Sequence, residues 1–201
     1  MKKQLLVIVL ILIVCHSFGA DYMPCRLIFK NGTTQNGYAK TPDMLDKAVK
    51  FRDNIKSTTI EFPSDNLSEI IFTQDNQEIS YQRVLTYANY GNKIVNDKDS
   101  WLKVLKTGYM RLYYGFQSGF NSPSYKLWYC KKTDDSIAYY ISMKYSGGFV
   151  ITVGTENNFK ENASFYFGDY KELADKILNS EYKFEDLEQI VDLYNTWYES
   201  K

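Results

Sequence analysis

Ser100-x-x-Lys103 runs almost directly into Lys106-Thr107-Gly108, and Ser64-Asp65-Asn66 lies upstream. Together these are the three motifs of acyl-serine hydrolases of the β-lactamase type, in which the serine is the nucleophile. That chemistry needs a lysine amine one helical turn from the serine hydroxyl. It also needs the Lys-Thr-Gly on a strand that faces the serine across a cleft. The order here is wrong, because the Ser-Asp-Asn triplet comes before the Ser-x-x-Lys. Lys103 and Lys106 reach only about 10 Å apart even in extended chain, so one short element would have to form both walls. Ser-x-x-Lys also recurs at Ser180 to Lys183. The plainer expectation is that Ser64–Asn66 is a turn after Pro63 and that Thr107-Gly108 turns a hairpin. Trp101, Leu102, Val104 and Leu105 would also suit a short helix ending at Gly108. No chemistry is expected of Ser100, Lys103 or Lys106.

Other chemistries are limited by the first twenty residues. Met1-Lys2-Lys3 is a short basic start, Leu5 to Val14 is an apolar run, and Ser17 and Gly19 are small. This is the layout of a secretory signal peptide, with cleavage expected near Gly19/Ala20. Ten helical residues span only about 15 Å, half of a ~30 Å hydrocarbon core. An uncleaved anchor and a lipoprotein on Cys15 are the alternatives, and Val14 before that cysteine disfavours the second. The expected location is therefore extracytoplasmic, periplasmic or secreted, with no membrane span after cleavage.

The chain has a single histidine, His16, inside this segment. A mature chain without it cannot build a Ser-His-Asp or Cys-His arrangement, nor a histidine zinc site. Cys25 and Cys130 remain, too few for an all-cysteine zinc site. No metal, cofactor or catalytic residue is expected. In an oxidising compartment Cys25 and Cys130 are the candidate disulfide; two buried, unpaired thiols are the alternative. Losing Lys2 and Lys3 takes 24 basic residues to 22 against 24 acidic ones, a net charge of −2. With no basic cluster beyond Lys131-Lys132, nothing suggests a nucleic-acid partner. A pair of carboxylates could still hydrolyse a glycoside. Asp134-Asp135 is the most visible pair, and it reads as a solvated turn.

The elements that would position any site are mostly strands. Aromatic residues make up 16% of the chain, with 18 Tyr and 12 Phe, a composition that suits pleated surfaces. "RLIFKNGTTQNGYAK" carries an Asn31-Gly32 hairpin signal. "AVKFRD", "TTIEF", "LSEIIFT" and "ISYQRVLTY" alternate. A polar stretch, Asn89 to Asp99, then reads as a boundary. "SWLKVLK", "YMRLYYGFQ", "YKLWYCKK" and "IAYYISMK" follow as an antiparallel meander, with a turn at Thr133–Ser136. "YMRLYYGFQ" is apolar on both faces, so it is either covered on both or offers one for binding. After the meander the period becomes helical: about 159–167 behind Asn158-x-x-Glu161, a second helix behind Asp169-x-x-Glu172, and a third over about 184–198. In the third, Phe184, Leu187, Ile190, Val191, Tyr194, Trp197 and Tyr198 form one stripe. The expected fold is α+β: an antiparallel β-rich body, as a small barrel or meander sheets, with a C-terminal tail of two to three helices. The expected division is 1–19 signal peptide, 20–95 N-terminal β subdomain, 96–155 meander and 156–201 helical tail.

The runs "IFKNGTTQNGYAK … EFPSDNLSEIIF", "WLKVLKTGYMRLYYGF" and "FKENASFYFGDYKELADKILNSEYKFEDLEQIVDLYNTWY" resemble an uncharacterised family of secreted Bacteroidetes proteins. The likeness covers most of residues 25–198. It implies a β-rich body with a helical tail in the bacterial cell envelope or outside it, and no catalytic residues. Asn31, Asn66 and Asn162 begin Asn-x-Ser/Thr triplets that would matter only in a eukaryotic secretory route. The functional expectation is a non-catalytic module that binds a protein, glycan or envelope component through an aromatic-rich surface. The alternative is a histidine-free, glycosidase-like hydrolase that uses a carboxylate pair.

Overall fold

The computed structural model of the chain describes residues 22–90, 93–118, 124–146 and 155–201. The expected signal segment and cleavage site lie outside them. The strands are β1 (Met23–Phe29), β2 (Thr34–Ala39), β3 (Ala48–Arg52), β4 (Ile60–Pro63), β5 (Leu67–Gln74), β6 (Gln77–Tyr90), β7 (Lys93–Lys106), β8 (Met110–Gln117), β9 (Ser124–Lys132) and β10 (Ala138–Ser146). The helices α1 (Thr155–Tyr166), α2 (Lys171–Leu178) and α3 (Leu187–Glu199) follow, and a 3-10 turn at Phe184–Asp186 leads into α3. The α+β architecture with a helical tail is therefore present.

All the strands join one sheet in the order β10-β9-β8-β7-β6-β5-β1-β2-β3-β4. Its neighbours are antiparallel except at one seam. There β10 returns to β6 in parallel through Ala138↔Thr86 and Tyr139↔Tyr87 alone. That contact closes β6 to β10 into a small barrel. Odd-numbered meanders must close this way, because the first and last strands run in the same direction.

Three cores follow from side-chain alternation on this sheet. Leu27, Val49, Phe51, Ile70, Phe72 and Trp101 pack where β1 to β5 curl over one face. Val84, Leu102, Tyr113, Leu127, Tyr129 and Tyr140 fill the barrel, together with Met44. Met110, Leu112, Cys130 and Ile141 meet the tail through Phe159, Phe167, Leu187, Ile190 and Tyr194. Neighbouring residues thus serve different cores: Trp101 enters the first and Leu102 the barrel. β8 is covered on both faces, with Met110 and Leu112 under the helices and Tyr113 inside the barrel. The α3 stripe docks on the chain's own body, as amphipathicity demands.

Turn chemistry sets the local geometry. Gly32 takes φ +82 between β1 and β2. Asn31 Oδ1 accepts from Thr33 N at 3.0 Å and from Thr33 Oγ1 at 2.7 Å beside it. The loop between β2 and β3 wedges Met44 between β7 and β8. Met44 N donates to Phe116 O, and Trp101 N donates to Met44 O, each at 2.8 Å.

Several expectations are corrected. The polar stretch at Asn89–Asp99 is no boundary. β6 and β7 pair from Tyr81↔Lys103 out to Tyr90↔Lys93, so a division at residue 95 falls inside a strand. Ladder hydrogen bonds come from the backbone and need no apolar side chains to continue. "SWLKVLK", by contrast, is strand as the meander reading has it, and not the short helix that was its alternative. Neither proposed capping box caps: Asn158 lies within α1, and α2 has Tyr170 at its N-cap with no side-chain hydrogen bond. Asp169 is instead used across the fold. Cys25 and Cys130 are both free and buried. β1 and β9 are separated in the sheet by β5, β6, β7 and β8, and the two thiols belong to different cores. A disulfide needs Cα atoms within about 7 Å.

Candidate functional site: an aromatic cleft at the barrel seam

The residues with motif-like spacing form no constellation. Ser100 and Lys103 are an odd number of residues apart on a strand, so they face opposite sides of the sheet. Ser100 is fully buried and shares a hydrogen bond of 3.0 Å with Thr86 Oγ1. Lys106 Nζ donates to Asp192 at 2.8 Å and lies 3.8 Å from Glu188. It ties β7 to α3, and the hydrogen bond to Asp192 holds its pKa above the ordinary lysine value. Gly108 takes φ +145, where Asn195 packs so closely that a Cβ would collide with it. Asn195 reads the first residue of β8: its Oδ1 accepts from Met110 N at 2.7 Å and its Nδ2 donates to Met110 O at 3.0 Å. The Lys-Thr-Gly is thus a docking point for α3.

Ser64 sits in a 3-10 turn, as the Pro63 context suggests, but it is buried. Its Oγ donates to Asp46 O at 2.7 Å and accepts from Trp101 Nε1 at 2.9 Å. Burial pushes the Cys25 thiol up to about 12 and raises that of Cys130 as well. Neither is a nucleophile at neutral pH.

Asp134 and Asp135 are not a catalytic pair. Tyr109 Oη donates to Asp134 Oδ2 at 2.9 Å, and Tyr166 Oη donates to Asp135 Oδ2. A third tyrosine, Tyr194, donates to Asp169 Oδ2 at 2.6 Å, and Lys132 Nζ lies 3.1 Å from Asp169 Oδ1. Tyr109–Asp134 links the start of β8 to the turn after β9, and Tyr194–Asp169 braces the tail internally. Tyr166–Asp135 and Lys132–Asp169 fasten the tail to the end of β9 and the turn that follows it. Burial acts to raise the pKa of Asp169, but the bonds from Tyr194 and Lys132 outweigh it and hold the pKa below the ordinary value.

Beside this junction lies a cleft of about 440 Å³. It opens where β10 meets β6, under the end of α1. Tyr87, Tyr139, Phe165, Tyr166 and Ile137 line it, with Asp135 and Ser136 at the rim. The rings are ordered. Tyr139 stacks on Tyr166 at 4.9 Å and 4°, and on Tyr87 at 6.2 Å and 12°. Phe165 leans over Tyr139 at 5.8 Å and is 74% exposed. Buried Phe159 and Ala163 on the inner face of α1, and Phe167 just past its end, repeat every four residues, which turns Phe165 outward. Its position off that stripe was the sequence signal for the cleft. Pairing of β10 with β6 leaves no comparable sequence mark.

A second cleft, about 320 Å³, brings Asp43 and Asp46 together with Lys40, Lys47 and Lys50. Burial, then the nearby Asp46, raises the pKa of Asp43. Asp46 Oδ2, however, accepts from Asp43 N at 2.9 Å, so the two carboxylates share one turn instead of facing each other across a substrate. Among the described residues no group of three or more His, Cys, Asp or Glu is placed to hold a metal. No helix among them is long and apolar enough to cross a membrane.

No family model, no curated protein and no solved structure matches the chain.

Proposed function

We propose that the protein is an extracytoplasmic, non-catalytic binding module that holds a sugar ring of a neutral glycan in the cleft at the barrel seam. The observation that carries this reading is Phe165, exposed beside three parallel tyrosines in a cavity of about 440 Å³. Covering a phenylalanine side chain contributes about 1.5–3 kcal/mol, and the C–H face of a pyranose fits flat against such rings. Its hydroxyls need polar partners at the edge. Ser136 and the Oδ1 of Asp135 stand there, while Asp135 Oδ2 is occupied by Tyr166. Tyr166 is held by stacking and hydrogen bonds and Tyr139 by stacking, so little rotamer entropy is lost on binding. The signal-peptide layout of residues 1–19 supports export; an exported chain whose intact mass starts at Ala20 or Asp21 is the expected form.

The test is calorimetric titration with neutral gluco-, xylo- and N-acetylglucosamine oligosaccharides. One class should bind saturably, remain uncleaved, and weaken about tenfold on Phe165→Ala, the equivalent of ~1.4 kcal/mol. Absence of binding across the panel, or equal affinity in Phe165→Ala, contradicts the reading. Cleavage of the bound sugar that stops on Asp43→Asn would support the carboxylate-pair hydrolase instead.

A further inference from the structure

We propose that the sheet face between the first core and the helical tail is a second site, selective for acidic polysaccharide. Strand register places Tyr81, Lys103, Tyr114 and Trp128 directly opposite one another on β6, β7, β8 and β9. They form a single cross-strand row. On the same face the next row sets Phe116 against Lys126, and Lys126 against Lys144 on β10. The rings are half-buried and braced from beneath or from the side. Tyr81 meets Phe72 edge-on at 5.6 Å, and Tyr114 meets Trp128 at 5.4 Å and 66°. Phe184, ahead of α3, closes the far end by packing on Trp128 at 4.8 Å.

The side chains of the two rows themselves carry charge of one sign. Lys144 is paired with Glu185 at 3.0 Å. Lys103 and Lys126 make no hydrogen bond or ion pair among the described residues, and no carboxylate stands in either row. Lys106, Lys132 and Lys176, nearer the tail, have each found a carboxylate. An ammonium set between two tyrosines is therefore a free half of a charge pair. Strands lie about 4.8 Å apart, so Tyr81 and Tyr114, two strands apart, stand ~9.6 Å from each other along the row. That is close to the span of a disaccharide unit. A chain of uronate sugars would lay ring faces on Tyr81 and Tyr114 and bring a carboxylate to Lys103. Neutral sugar lacks the charge, and the trough has only two free lysines, few for a nucleic-acid backbone. The site is independent of the seam cleft, which lies beyond α1 and contains no lysine among its lining residues.

The experiment is affinity electrophoresis of the purified protein through gels containing polygalacturonate, dextran or oligo-deoxythymidylate. Polygalacturonate should retard the protein, and dextran should not. Retardation should fall as salt rises, since exposed charges are screened over about 8 Å at 0.15 M. Lys103→Glu should abolish it, and Lys103→Gln should weaken it about tenfold. Lys126→Glu, on an exposed position of the same trough, should also weaken it and does not touch a core. Phe165→Ala should leave it intact while losing any neutral-glycan binding, so the two sites fail separately. The proposal is overturned by no retardation in polygalacturonate, by full retardation in natively melting Lys103 and Lys126 variants, or by retention on the oligonucleotide in place of the uronate.

Discussion

The two halves of the sheet bury their apolar residues in different ways. From β1 to β5 one face is dry and the other is wet: Leu27 and Ile70 are buried, while Arg26 and Glu78 form an exposed pair of 3.7 Å on the opposite side. From β8 to β10 the barrel interior covers one face and the helical tail covers part of the other. The first half can curl over itself and needs only short turns. The second needs a separate layer, and that layer has to be fastened. Its fasteners are polar: the bond from Tyr166 to Asp135, the pair of Lys132 with Asp169, and the grip of Asn195 on Met110. The seam cleft appears where that added layer stops short and Phe165 overhangs the barrel. The trough appears where neither the first core nor the tail reaches.

The largest effect should come from the residue that joins the halves. Trp101 lies on β7, packs in the first core, and bonds through its ring to Ser64 and through its backbone to Met44. Trp101→Ala should cost about 3–5 kcal/mol and still unfold in one transition, measured by denaturant melts at two wavelengths. Two separated transitions would mean that the halves are independent units and the contrast is between domains.

Ser64→Ala is the sharper, smaller version. It leaves the Trp101 Nε1 donor and the Asp46 carbonyl buried without their partner, at a cost of about 1–3 kcal/mol. A neutral result would show that water reaches the turn and that the link is carried by packing alone.

The strand pattern was legible in the residues. Alternation located the strands, Asn31-Gly32 its hairpin, and the α3 stripe its buried face, because each is a local consequence of side-chain period. What was not legible depends on contacts between distant segments. Asn158 and Asp169 carry capping-box spacing, yet Asp169 is drawn to Tyr194 and Lys132, and α1 begins before Asn158. Asn195 was hidden beside the apolar stripe of its helix, since only the fold brings it to Met110. The seam between Tyr87 and Tyr139 and the row through Lys103 exist only once register is set. Strand spacing alone could not announce them.

Acid should separate the halves by sign. The Asp169 carboxyl is held below its ordinary pKa, so its contribution is present above about pH 4 and is lost as pH falls through the native value. Asp43, on the N-terminal side, is held above its ordinary value by burial and Asp46. Its carboxylate therefore weakens the fold as pH rises through the native pKa. In melts from about pH 3 to 7, across the range where carboxylates titrate, Asp169→Asn should flatten the loss at low pH. Asp43→Asn should raise stability near neutrality. The reverse pattern would place the strained carboxylate in the tail.

Lys106→Ala should have the smallest effect, below about 1 kcal/mol, because Asp192 and Glu188 are both well exposed. A larger loss would show that this pair, and not the Asn195 contact, holds α3 to β7.

The central claim is that the seam cleft binds a sugar ring. Nuclear magnetic resonance shift mapping with the oligosaccharide class that binds tests it most directly. The predicted result is a set of shifts confined to Tyr87, Ile137, Tyr139 and Phe165, abolished by Phe165→Ala. Saturable binding whose shifts fall elsewhere on the sheet, with the seam unmoved, would contradict it.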